Sequence, residues 1–300
     1  MPKMEKNMLK PKKQEIRYFL DKIEKEKLLE IAEKNKTAAF GFLSGISDKF
    51  SKDKAEIKLL KIYKRYDPFW HIVAESIVDY ERRSKYKVIT TKEVRKVRIG
   101  ETEFKTEEGK KDNELIFDSI DICHERKRKE ILIDGALDVK NPVNIKNNVN
   151  YAVYLTGESK KIKEVEEIMK NDIIVVPVIL KAAFILRSIL QDIINPVSAD
   201  KILDEKIEIE QLILYFKPIY LFEYEHSKKN EKKYVEIDSI TGKIKFVKEM
   251  EHKKSKEIFT ENALFDIGVS ALSSLVPGGE ATYKLVKTIR EERRRKKNKA

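Results

Sequence analysis

An α+β fold is what this sequence predicts, on three observations. Apolar residues fall at helical spacing towards both ends, short β-branched and aromatic runs lie between turn residues in the middle, and a proline–aromatic stretch occurs twice. The expected architecture is an antiparallel sheet made partly from two pseudo-repeated, proline-entered hairpins, packed by helices, with a helical N-terminal arm and a C-terminal helical pair. The 300 residues, 41% hydrophobic and 38% charged, suffice for a substantial core. Expected regions are 1–60 (helical), 61–157 (first β-rich unit), 158–206 (helical connection), 207–250 (second hairpin unit) and 251–300 (C-terminal helices and basic tail), with 61–250 forming one domain.

Taken in order, Ile16, Phe19, Leu20 and Ile23, then Leu28, Ile31 and Ala32, suggest one amphipathic helix or two short ones across 14–35. Lys52 to Tyr63 resumes a helical pattern through Ile57 and Leu60, and Pro68 then forces Asp67 towards an extended conformation. Strands are expected at 69–80, 86–99, 114–122, 130–139 and 149–155, with turns at Gly100, Asp134-Gly135 and Lys140 to Asn148.

Ile173 to Ile194 is strongly apolar, but Lys181, Arg187 and Asp192 would each cost roughly 3 kcal/mol inside a bilayer, so no membrane span is expected. A core helix with Pro177 in its first turn is the economical alternative. Two helices separated by Pro277-Gly278-Gly279 are expected over 260–295.

The repeated stretch is "KRYDPFWHIVAES" (Lys64 to Ser76) and "LYFKPIYLFEYEH" (Leu214 to His226). Aligning Pro68 with Pro218 pairs Trp70 with Tyr220, Ile72 with Phe222, Ala74 with Tyr224 and Glu75 with Glu225. Each copy reads as a hairpin whose second strand carries a tyrosine, Tyr86 or Tyr234, after the polar linker "ERRS" or "HSKKNEKK". Period two gives each strand one aromatic and one carboxylate face. Burial of the aromatic faces under helices is the expected outcome; exposed rings would instead make Trp70, Tyr220, Phe222 and Tyr224 a groove for a peptide or a single nucleic-acid strand.

In "KYVEIDSITGKIKFV" (Lys233 to Val247), Asp238 is placed to accept backbone hydrogen bonds and Gly242 to take a positive φ. This stretch resembles the strand–turn–strand element of PepSY-type domains. The resemblance implies association with, or restraint of, a peptidase.

The remaining chemistry is sparse. The four histidines form no metal-ligand array, and Cys123 and His124 would point to opposite strand faces. His71, Glu75, Glu225 and His226 form a possible polar site, and Asp134 with Asp138-Val139-Lys140 superficially matches a nuclease carboxylate–lysine pattern. No cofactor or metal is expected. The lone cysteine fits a reducing compartment, and no signal peptide or h-region is read at the start, so a cytoplasmic location is expected. Of the net charge of +12, residues 1–13 hold +4 and residues 290–300 hold +5. Arg290, Arg293, Arg294, Arg295, Lys296 and Lys297 could therefore contact nucleic acid or an anionic surface. An intracellular binding or scaffolding protein with a protein partner is the expected function; a nucleic-acid-associated protein and a metal-dependent hydrolase are the alternatives.

Overall fold

In the computed structural model, residues 11–41, 57–108, 113–138, 147–169, 173–194 and 197–248 are described. The expected helix-packed α+β fold is corrected to a mainly β one: a nine-stranded mixed sheet dominates, with two α-helices among the described residues. The strands are β1 (Lys13–Phe19), β2 (Ile57–Thr90), β5 (Glu107–Glu108), β6 (Asn113–Asp134), β7 (Ser159–Ile162), β8 (Ile173–Val175), β9 (Lys201–His226), β10 (Glu231–Asp238) and β11 (Ile244–Val247). A separate two-stranded sheet pairs β3 (Lys96–Ile99) with β4 (Thr102–Lys105). The helices are α1 (Lys25–Ala39) and α2 (Ala182–Ile193), and short 3₁₀ turns occupy Val149–Thr156 and Val165–Ile168.

The corrections share one physical cause: residues spaced by three can serve two sheet faces as well as one helix face. Ile16 and Phe19 point to opposite sides of β1, one into the core beneath α2 and the other into the far-face cluster. The N-terminal arm therefore starts as a strand, and its helix begins at Lys25. Likewise the helical pattern of 52–63 resolves from Ile57 onward into β2, with 52–56 outside the described residues. Conversely, the strand expected at 149–155 is a 3₁₀ turn, whose three-residue period puts Tyr151 and Tyr154 side by side in the far-face cluster. Pro177 lies in the link between β8 and α2 rather than inside the helix.

β2 and β9, 34 and 26 residues long, form the centre of the sheet as an antiparallel pair. Asp67 pairs with Lys217, so the two prolines sit on neighbouring strands either side of that pair, Pro68 opposite Phe216 and Pro218 opposite Tyr66. The strand pairings of the two halves correspond about an approximate two-fold axis through the Asp67–Lys217 pair, normal to the sheet. Beyond Pro68, Phe69 pairs with Asp134 of β6; beyond Pro218, Ile219 pairs with Asp238 of β10. Before the prolines, Lys64 pairs in parallel with Ile173 of β8, and Leu214 in parallel with Ile16 of β1.

The correspondence reaches individual hydrogen bonds. Gly135 N–H donates to Pro68 O at 2.9 Å, and Ser239 N–H to Pro218 O at 3.2 Å. The carbonyl of Gly135 accepts from Ile179 and Leu180; that of Ser239 accepts from Lys22 and Ile23. Asp134 Oδ1 takes the amide of Ala136 at 2.8 Å and Asp238 Oδ1 that of Ile240 at 2.9 Å. At the first of these turns a Cβ on residue 135 would lie 3.1 Å from Pro68 Cβ, which favours glycine there.

Neither proline starts its strand, which corrects the proline-entered description. Each marks the point where the outer neighbour changes, from β8 to β6 at Pro68 and from β1 to β10 at Pro218. Because the Pro68 carbonyl points outwards to Gly135, its missing N–H would also have pointed outwards, into that changeover. A strand interior thereby tolerates proline. The first hairpin is corrected as well: "ERRS" (Glu81–Ser84) continues β2, Tyr86 belongs to the same strand, and the returning strand is β6. The second turns at Ser227–Asn230, with Asn230 at φ 50°, and returns as β10 through Tyr234.

Both helices cover the same sheet face, each on the other half of the molecule. α1 follows β1 but seats Leu28 and Ala32, one turn apart, against Tyr220, Phe222, Tyr224, Val235 and Ile237. α2 follows β8 but lays Leu186, Ile189, Leu190 and Ile193 over Trp70, Ile72, Ala74, Ile131 and Ile133. The far face carries Phe69, Leu132, Ile213 and Tyr215 beneath Tyr151 and Tyr154. The C-terminal helical pair and the basic tail lie outside the described residues.

Candidate functional site

The four aromatic groove candidates are core residues. Trp70 is 0% exposed and Tyr220 7%, and Phe222 and Tyr224 are fully buried with them. Their polar tips are used internally. Trp70 Nε1–H donates to Leu180 O at 2.7 Å in the link preceding α2; Tyr220 OH donates to Asp21 Oδ2 at 3.1 Å in the link preceding α1. Tyr224 OH donates to Glu33 Oε1 on α1 at 2.9 Å. Burial first, then the neighbouring carboxylates, pushes both phenols well above their ordinary range. Each proline–aromatic stretch thus fastens the helix that covers it, and these four rings line no groove.

The polar candidates do not converge. His71 is opposite Ile213 and Glu225 is opposite Lys58, a separation of about twelve strand positions, or roughly 40 Å. His71 is buried, with Nε2 2.7 Å from Glu130 Oε1 and Nδ1 buried without a hydrogen-bond partner. Glu75 is buried and accepts from Arg126 Nε at 2.7 Å. Glu225 stands opposite Lys232, and His226 lies edge-on to Phe40 with ring centroids 5.4 Å apart. Asp134 caps its turn and Asp138 is exposed, with Val139 and Lys140 outside the described residues. His124 accompanies Asp79 at 2.7 Å, and Cys123, half-buried, is on the opposite face. Among the described residues no three histidine, cysteine or carboxylate side chains gather as a metal site. Arg290, Arg293, Arg294, Arg295, Lys296 and Lys297 are also outside them.

A charged cluster beside the two-fold axis was not legible in the sequence. Arg65, almost wholly buried, donates through Nε to Asp67 Oδ1 at 2.6 Å and through its fork to Glu236 Oε1 at 2.8 Å. Lys217 lies over the rings of Tyr151 and Tyr154, at 5.6 and 5.5 Å, and Tyr154 OH donates to Asp238. Asp238 also takes the amide of Thr241 at 3.0 Å while Gly242 adopts φ +71°, so the expected turn chemistry at these two residues is present. These groups bond to one another and join β2, β9 and β10, which is a structural role.

The surface that faces outwards is the far end of the first hairpin. β9 begins at Lys201, opposite Glu81, so β2 and β6 continue alone from Arg82–Asp121 to Thr90–Asn113. Nine pairs at strand spacing make a ribbon about 30 Å long. Its two faces differ in kind. On the helix side Tyr86, Phe117 and Phe104 pack with centroids 5.8 and 5.3 Å apart, and Asp121 accepts from Ser84, Arg82, Tyr86 and Ser119. These donors, Ser84 foremost, hold the Asp121 carboxyl below its usual range.

On the other side Ile89, Ile120 and Ile122 are 68%, 64% and 80% exposed, and Ile116 joins them. Two strands alone are marginal, so the aromatic and aspartate contacts on the helix side are what keep the ribbon straight enough to present this aliphatic face. Among the described residues the outer edge of β6 is mostly unpaired too. β5 pairs with β6 only at Asn113 and Glu114, and from Leu115 to Ile131 no described strand lies on that side. Clustered isoleucines beside an open edge suit protein contact rather than catalysis.

Comparison of the chain with protein-family models, with curated proteins and with solved structures finds no match.

Proposed function

We propose that this chain is a non-enzymatic binding or scaffolding protein that works inside the cell and presents the β2–β6 ribbon to a protein partner. The observation that supports it most is the aliphatic face of Ile89, Ile116 and Ile120 on the ribbon with Ile122 at its base, all exposed and in none of the core clusters. None of the three core clusters includes a residue of Arg82–Thr90 or Asn113–Asp121, so the ribbon projects beyond the core. The PepSY-like stretch 233–247 agrees with a protein partner, of which a peptidase is one class. The lone cysteine agrees with a reducing compartment.

A photo-crosslinking side chain placed at Ile120, and as a control at Lys245 on β11, tests this in cells. Discrete adducts from position 120 and none from 245 are expected; equal, diffuse labelling from both would refute the assignment. The net +5 of residues 290–300 supports a second reading, contact with nucleic acid through Arg290, Arg293, Arg294, Arg295, Lys296 and Lys297. Deleting 290–300 should then flatten the salt dependence of nucleic-acid binding. An unchanged slope removes the tail from consideration. A hydrolase would require His71, Glu75 and Glu225 to share one site, and they lie far apart.

A further inference from the structure

We infer that the outer edge of β6 pairs antiparallel with the same edge of a second copy of this chain, about a two-fold axis beside Ile122. The inference rests on the reading of the ribbon as a binding element and names what binds there. Three observations carry it.

First, the edge is long and regular. β6 runs in unbroken register with β2 over its whole length, has no proline and no bulge, and from Leu115 to Ile131 pairs with no described strand on its outer side. Edges of that length are templates for another strand unless something twists, covers or interrupts them. Second, its charge is divided. Residues 113–121 carry Glu114, Asp118 and Asp121 and neither lysine nor arginine, whereas residues 126–129 read Arg-Lys-Arg-Lys.

A parallel copy would set acid on acid and base on base. An antiparallel copy about Ile122 instead sets Asp118 on Arg126 twice over, as an isologous contact requires, against one Glu114–Glu130 like-charge pair at each end. With the axis at Ile122, Asp118 falls opposite Arg126 of the second copy, on the same sheet face, and Ile116 opposite Arg128. Third, Ile120 and Ile122 lie next to the axis on one face, so two of the three most exposed aliphatic side chains of each copy meet there and leave water together. The two bodies then sit at opposite ends of one continuous sheet.

The test uses the full chain in two charge-reversed forms, Asp118→Lys and Arg126→Glu, the two residues that the proposed register sets opposite each other. Sedimentation equilibrium at up to about 100 μM should show the wild type as a dimer, and each variant alone weakened about 100-fold or more. An equal mixture of the two variants should regain the dimer, because the reversed residue of each then faces its complement in the other. Cys123, the single cysteine, stands next to the proposed axis, so a short bis-maleimide should give a covalent dimer from the wild type and from the mixture but not from either variant alone.

Circular dichroism melting of both variants guards against unfolding, and Ile120→Lys with Ile122→Lys supplies an independent disruption that leaves the charges alone. A wild type that stays monomeric over the whole concentration range, or a mixture that fails to recover, overturns the inference. If it fails while position 120 still yields adducts of a different mass, the ribbon keeps its binding role with another partner. If both fail, the role falls as well.

Discussion

The two hairpins are built on one framework and differ only beyond it. From Phe69–Asp134 the first continues for twenty-two pairs; from Ile219–Asp238 the second stops after eight. Over the shared pairs the two use the same turn carbonyls, the same aspartate-to-amide contact and the same aromatic anchor two residues past the proline. What the halves have in common is therefore the part that folds. The ribbon is what distinguishes them, and it carries the exposed isoleucines and the open edge.

The largest effect should come from the anchors. Trp70→Ala removes a fully buried ring together with its hydrogen bond to Leu180, and about 3–5 kcal/mol of stability should go with it in urea titration. Tyr220→Phe removes only the hydroxyl bond to Asp21 and should cost about 1 kcal/mol. A loss for Tyr220→Phe as large as that for Trp70→Ala would place the anchoring in the hydroxyl bond rather than in the ring.

Next come the turn aspartates. Asp238 serves the amides of Ile240 and Thr241 and the hydroxyl of Tyr154, whereas Asp134 serves the amide of Ala136 and the hydroxyl of Tyr151. Asp238→Ala should therefore cost about 2–3 kcal/mol and Asp134→Ala about 1–2 kcal/mol. The reverse order would mean that the second amide contact, at Thr241, contributes nothing.

A smaller, pH-dependent effect belongs to the β9 end nearest the ribbon. Lys12 first, then Lys206, holds the Glu208 carboxyl down to about 2 from an ordinary 4.5. A depressed carboxyl stabilises the fold above its unfolded pKa, so this contribution is complete above about 4.5 and fades as pH falls towards 2. Glu208→Gln should lower stability at neutral pH and flatten that part of the acid limb. An acid limb identical to the wild type excludes the contribution.

The smallest effect should follow excision of the ribbon. Replacing residues 83–120 with a two-residue Asn-Gly turn that closes the Arg82–Asp121 pair should leave body stability within about 0.5 kcal/mol while abolishing crosslinking and dimer formation. Collapse of the melting transition on excision would show that the ribbon is part of the fold after all.

The echo of Pro68 in Pro218 and the sorting of Trp70 and Tyr220 onto one buried face were legible, because period two in a half-buried strand leaves a direct trace. The match of "ILIDGA" (Ile131–Ala136) to "VEIDSI" (Val235–Ile240) was equally available and extends the repeat to the returning strands. It was hidden because Asp134 and Asp238 look like unrelated turn residues until their strands are known. Strand length misled: at 34 residues β2 is several times the usual length, so its polar stretch Glu81–Ser84 reads as a linker although it continues the ladder. The parallel partners of Ile16 and Ile173 carry no local signal, since pairing with Leu214 and Lys64 is decided by the rest of the sheet. For the same reason the ribbon was invisible. Its exposed isoleucines look like core until it is known where β9 begins.

Because β1 and α1 pack on the second half of the molecule, elements made before β2 are among the last to find their places. Ile16 waits for Leu214, 198 residues downstream, which at translation speeds of about 5–20 residues per second is a delay of about 10–40 s. During that interval Leu28 and Ala32 have nothing to cover and Trp70 lacks α2. Native structure here should appear late and nearly all at once, with slow refolding, and a chain interrupted before Phe222 should depend on chaperones to stay in solution.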